Sequence, residues 1–169
     1  MQDYRTIVVG TDGSSLAART VGRAAWLARH SDADLVIVCA YAQLSRRTEA
    51  KNTATLGGDS RLGQVLGSEA ASKALAEAMA VATAEGARVT AGLLMDGEPA
   101  KALVLTATER EADLIVMGAI QDRSLADRLL GTTATEVTKR APCEVLIVRP
   151  EHAQGDLEVP EDAAAGLVS

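Results

Sequence analysis

The chain has 169 residues, with 17 Lys and Arg against 23 Asp and Glu, a formal net charge of −6, 47% hydrophobic residues, one Trp, two Tyr and no Phe. This length suits one domain burying about 70% of its unfolded surface, and the 32 alanines must fill a core without Phe through close helix contacts. The acidic balance argues against a general nucleic-acid binder, whose affinity rests on Lys and Arg at phosphates. No apolar run nears the roughly 18 to 20 residues of a membrane span, and Met1 to Tyr4 lead into a strand rather than a signal peptide. A cytoplasmic protein with neither a nucleic-acid nor a membrane partner is expected.

In chain order, the first strand is Thr6 to Val9, followed by a helix from Ser15 to Ser31 that Ser14 or Ser15 caps. The second strand is Leu35 to Cys39. The polar stretch 42–67, with Gly57, Gly58, Gly63 and Gly67, is long for a loop in a compact domain and reads as a flexible insertion. A second helix runs from Ser68, read as its cap, to Gly86, which suits a left-handed end. A third strand, Val89 to Met95, leads to a helix with Pro99 in its first turn, then to a strand from Leu114 to Met117. The last helix is Thr132 to Arg140 and the last strand Val145 to Val148.

Continuous, β-branched strands imply burial on both faces, as in a parallel sheet. Strict strand and helix alternation over about 150 residues implies an α/β fold, a Rossmann-like doubly wound sheet with helices on both faces. Residues 1–150 form this domain. The tail 151–169 carries Glu151, Asp156, Glu158, Glu161 and Asp162 and no Lys or Arg, a composition expected to be solvated and disordered. The tail's −5 leaves the domain itself at −1.

In such a sheet the ligand crevice lies beyond the carboxyl ends of the strands, where strand order reverses. Gly10-Thr11-Asp12-Gly13-Ser14 lies at one such end. Its carboxylate either accepts hydrogen bonds from a ligand or caps the first helix. Met117-Gly118 and Gly131-Thr132-Thr133 mark a second, where a helix N-terminus with two hydroxyls either cradles phosphate or is capped by a Thr. Neither a Walker A loop nor G-x-G-x-x-G occurs.

Together VVGTDGS (Val8 to Ser14), MDGEPAKAL (Met95 to Leu103), ADLIVMG (Ala112 to Gly118) and LLGTTATEVTKRAPCEVLIV (Leu129 to Val148) make the chain resemble the universal stress proteins over about residues 4 to 149. The resemblance implies a five-stranded parallel sheet in the order 3-2-1-4-5, a homodimer through the edge strand Cys143 to Val148, and a branch that binds ATP beside one that does not. Some actinobacterial members bind cyclic AMP. It also implies roles. Gly10, Thr11 and Asp12 would lie by the nucleoside, the backbone of Ala40 and Tyr41 would read adenine, Gly97 would line the pocket, and Met117, Gly118, Ile120, Gln121, Gly131, Thr132 and Thr133 would surround the phosphates.

The family's signature G-x2-G-x9-G-[ST] is matched in length from Gly118 to Thr132, but Gln121 stands where the second glycine belongs and Asp122 comes directly after it. A non-glycine residue at positive φ costs about 1 kcal/mol, the Gln121 side chain takes phosphate space, and the Asp122 carboxylate opposes bound phosphates. Arg123 and Arg128 could compensate. Ligands with one phosphate, AMP or cyclic AMP, are then favoured over ATP, which would bring Mg2+ with it. The reading is a non-enzymatic nucleotide sensor or buffer. Its rival is an interaction protein with a vestigial pocket and an unknown protein partner.

His30, at the end of the first helix, and His152 in the tail do not read as catalytic. Cys39 and Cys143 would stand three strand spacings apart, about 14 Å, too far for a disulfide.

Overall fold

A computed structural model describes residues 3–43, 65–119 and 130–151. Ile120, Gln121, most of the 42–67 insertion, and the tail beyond Glu151 lie outside the described residues. The elements are β1 (Thr6–Gly10), α1 (Ser15–Ser31), β2 (Asp34–Ala42), β3 (Val65–Leu66), α2 (Ser68–Ala84), β4 (Arg88–Asp96), α3 (Pro99–Glu109), β5 (Leu114–Gly118), α4 (Thr132–Arg140) and β6 (Glu144–Val148). All strand pairs among the described residues are parallel. The five long strands lie in the order β4-β2-β1-β5-β6, which is the expected 3-2-1-4-5.

The sixth strand, the two-residue β3, was not expected. Tyr41 pairs with Asp96 of β4 and also with Val65 of β3. A strand has two edges, so β3 takes up the β2 edge that β1 leaves after Gly10 pairs with Val38. The insertion read as 42–67 is therefore structured at both ends, with Ala42 in β2 and Val65 and Leu66 in β3.

Two apolar layers sandwich the sheet. On one face Ile7, Val9, Leu35, Ile37, Cys39, Leu114 and Val116 form a buried cluster with Val21, Ala24, Ala25 and Ala28 of α1 and Ala71, Ala74, Leu75, Ala78 and Ala82 of α2. On the other, Val8, Val36, Val38, Ala40, Ile115 and Met117 cluster with Ala100, Leu103 and Ala107 of α3 and Ala134 and Val137 of α4. Alanines at helical spacing let the helices lie close to the sheet without Phe.

Burial on both faces holds for β1, β2 and β5 but not for the outer strands. In β4 partly buried residues alternate with exposed ones, and β6 is at best partly buried, because an edge strand has a neighbouring strand on one side only.

Local chemistry explains most boundaries. Ser14 caps α1, its Oγ accepting from the Ala17 N–H at 3.1 Å. Pro99 occupies the first turn of α3, and Gly86 closes α2 at φ 80° while Ala87 N–H donates to Ala82 O at 3.1 Å. Ser68 is not the cap of α2. Gly67 at φ 87° takes that position without a side-chain bond, and Ser68 begins the helix, because Gly67 is held to β2 by its N–H on Ala42 O at 3.0 Å.

Candidate functional site

Strand order reverses between β1 and β5, neighbours in the sheet reached by different crossovers. Their carboxyl ends put Gly10, Thr11 and Asp12 beside Gly118 and Ala119. The first turn is tightly built. Thr11 N–H continues the ladder to Val38 O at 2.9 Å, Gly13 N–H reaches Thr11 Oγ1 at 3.4 Å, and Ser14 N–H donates to Asp12 Oδ1 at 3.0 Å. Asp12 thus braces the turn ahead of the helix and leaves the capping to Ser14. Its second carboxylate oxygen takes no hydrogen bond among the described residues. Its charge reaches β2, where burial first and Asp12 second push the Cys39 thiol up to about 11.

Backbone direction sorts the two residues expected to read a base. Gly97 N–H donates to Tyr41 O at 2.9 Å and Gly67 N–H to Ala42 O at 3.0 Å. Tyr41 therefore turns its carbonyl to β4. Peptide groups alternate along a strand, so those of Ala40 face the other edge, between the end of β1 and the start of β3.

The site glycines differ in what a side chain would meet. A Cβ on Gly10 would stand 3.3 Å from Leu103 Cδ1, and one on Gly118 3.2 Å from Leu16 Cδ2 and Thr20 Oγ1. Gly13, at φ 74°, would press on Ala74 Cβ at 3.0 Å. These three are small because helices pack against them. Gly97 differs, with φ 119° and, among the described residues, nothing within 4 Å of the Cβ position, so its conformation demands glycine.

The N-terminus of α4 carries Gly131 at φ 87° as cap residue, with no side-chain hydrogen bond. Neither Thr132 nor Thr133 caps the helix; both lie inside its first turn. Ala134 belongs to the same buried cluster as Val38, Ala40 and Met117, which ties this end of α4 to the carboxyl end of the sheet. The first-turn N–H groups of a helix have no intrahelical partner. Ile120 and Gln121 lie outside the described residues.

Two expectations away from the crevice meet the structure directly. Cys39 and Cys143 are both free, on β2 and just before β6. His30 sits at the far end of α1, its ring stacked on Trp26 at 4.1 Å and its Nδ1 2.8 Å from Trp26 O. Among the described residues no three His, Cys, Asp or Glu could jointly hold a metal ion, and no helix is long and apolar enough to cross a membrane.

Sequence reasoning missed Asp113. Its Oδ2 accepts from Arg5 N–H at 2.7 Å and Thr6 N–H at 2.9 Å, joining β5 to β1. Desolvation raises its pKa, but the Thr6 and Arg5 N–H bonds and the Arg5 charge outweigh it, holding the carboxyl below its ordinary value. An Asp directly before a buried strand was the available signal.

Residues 3–149 match the Universal stress protein family. The chain is 38% identical over 148 residues to universal stress protein Rv1636 of Mycobacterium tuberculosis H37Rv, covering 88% of this chain and 98% of that one. A universal stress protein of Thermus aquaticus is 33% identical over 153 residues, covering 86% and 99%. A universal stress protein crystallised in complex with cAMP is similar at 34% identity and TM-score 0.63, over 88% of this chain and 98% of that one. One from Archaeoglobus fulgidus in complex with dAMP gives 25% and 0.60, over 86% and 98%. With this fold and these relatives, the chain belongs to the universal stress protein family.

Proposed function

We propose that this protein binds an adenine nucleotide carrying one phosphate, AMP or cyclic AMP, without turning it over, and serves as a dimeric sensor or buffer in stress adaptation. The observation that carries the reading is the crevice where strand order reverses. There Asp12 keeps one carboxylate oxygen clear of its own turn, Gly97 at φ 119° has no described residue within 4 Å of its Cβ position, and Gly131 opens α4 without a side-chain cap. In this reading Asp12 takes the ribose hydroxyls, the peptide of Ala40 meets the adenine edge, and the first turn of α4 receives the phosphate. The relatives solved with cAMP and dAMP support a ligand of that size.

The donor set supports a ligand without a metal. Asp12 alone makes a weak Mg2+ site. His30 supports a non-catalytic reading, since it is held on Trp26 at the opposite end of α1 from the crevice. The dimer would form through β6, which pairs only with β5 among the described residues and offers an apolar edge, Val145 to Val148, to a second copy.

Calorimetric titration should find AMP or cyclic AMP binding more tightly than ATP; the reverse order would overturn the proposal. If the native protein binds no nucleotide and Gln121→Gly creates ATP affinity, the vestigial-pocket reading takes its place. Sedimentation at low micromolar concentration should show a dimer, and a monomer alone would reject the β6 interface.

A further inference from the structure

The outward face of α1 carries a basic and aromatic stripe that the nucleotide reading leaves unused. Arg19, Arg23, Trp26 and His30 succeed one another at spacings that place them on one side of a helix, and all four are exposed. Trp26, the only tryptophan of the chain, is 44% exposed. The Arg23 guanidinium carbon lies 5.8 Å from its ring centroid and the His30 ring stacks at 4.1 Å and 30°. The helix has no acid of its own. Beyond its end, Asp32 and Asp34 are engaged by Arg88 at 3.5 and 2.6 Å.

The chain itself supplies a match. After β6 it runs through Arg149 and Pro150 to Glu151, whose Oε1 lies 2.7 Å from Arg19 Nη1, at the first residue of the stripe. The remaining tail holds Asp156, Glu158, Glu161 and Asp162 without a single Lys or Arg, with Leu157 and Val159 between the acids. From Arg19 to His30 the stripe is about 17 Å long at 1.5 Å per residue, while Glu151 to Asp162 spans up to ~36 Å extended, ample for a bent course.

From this complementarity we infer that the acidic tail, residues 152–169, docks along the α1 stripe of its own chain. Glu151 on Arg19 is its anchor, the later acids lie along the cationic groups, and Leu157 and Val159 lie against Trp26. One exposed ion pair contributes little by itself; a row of them over an exposed indole is a surface that salt dissolves.

Trp26 reports directly on the docking. Acrylamide quenching of its fluorescence would be compared in the native full chain and in the full chain carrying D156N, E158Q, E161Q and D162N. At low salt the native chain should be quenched about twofold less, and the difference should vanish near 0.5 M NaCl as screening shortens to a few ångströms. Equal quenching of the two chains at low salt would overturn the inference. Protection that rises with protein concentration would assign the stripe to a neighbouring molecule and overturn it as well. Protection that persists at high salt would contradict its ionic basis.

Discussion

The two ends of the sheet are built on different principles. At the amino end, side chains tie the strands together. Asp113 holds the backbone of Arg5 and Thr6, Arg88 of β4 grips Asp34 of β2 at 2.6 Å, and Tyr4 Oη donates to Glu144 Oε2 of β6 at 2.8 Å. At the carboxyl end the ties are between backbone groups, Thr11 to Val38, Gly97 to Tyr41, Gly67 to Ala42 and Ala119 to Val148. Charged groups at one end are spent on the protein's own structure. At the other, backbone closure leaves an Asp carboxylate partly uncommitted among loops that glycine shapes, which is what a binding site requires.

Substitutions at the two ends should separate along this line. The largest effect is expected at the carboxyl end, where Asp12→Ala should cost about 2 to 3 kcal/mol of nucleotide binding, a loss of roughly thirtyfold to more than a hundredfold by calorimetry. Its thermal stability should fall by less than ~1 kcal/mol, since a single part-buried turn bond is lost. A stability loss without an affinity loss would remove Asp12 from the site.

Gly118→Ala tests whether that glycine serves packing. A Cβ forced 3.2 Å from Leu16 and Thr20 should destabilise the fold by about 1 to 2 kcal/mol in denaturant unfolding. Adding the same methyl at Gly97 meets no neighbour among the described residues, and there the cost comes from φ 119°. If Gly118→Ala were neutral, its place in the family signature would need a ligand-based explanation.

At the amino end Asp113→Asn should lower stability by on the order of 1 kcal/mol, a modest figure because the group is only partly buried, and leave nucleotide affinity unchanged. The sign of its pH dependence is set by a folded pKa held below the unfolded one. The stabilisation is fully present above the unfolded carboxyl value and is lost as pH falls through the folded value. The gap between native and variant stability should therefore close on acidification below about pH 4, measured by urea unfolding.

The smallest effect concerns the thiols. Cys39 is buried with its pKa pushed up to about 11, and Cys143 is only partly buried. At pH 8 alkylation of the native protein and then mass spectrometry should show Cys143 labelled well ahead of Cys39. Equal labelling would mean that the β2 end opens readily.

Much of the fold was legible because its signals are local. Ser14, Pro99 and Gly86 act within a turn of their own positions, and among the described residues the starts of α1, α3 and α4 were readable to the residue. Ser68 was misread because Gly67, though adjacent, is placed by its bond to Ala42 across the sheet. The exposed face of β4 was hidden for a similar reason: an apolar strand at an edge and one at the centre look alike in sequence. At the crevice, the motifs named the residues. Separating Asp12 from the capping role, and Ala40 from Tyr41 by the direction of their peptides, required the hydrogen bonds.

By itself, then, the sequence determined the α/β class, the order of the elements and the residues gathered at the strand ends, because periodicity, caps and glycine conformations are properties of neighbours along the chain. Tertiary structure decided which glycines are small for a helix and which for its own backbone conformation, how β3 extends the edge that β1 abandons, and that Asp113 staples β1 while Glu151 reaches Arg19. Those outcomes depend on atoms that meet only across the fold, as Asp113 does with Thr6 and Glu151 with Arg19. No local pattern encodes which distant partner closes a given hydrogen bond or fills a given gap.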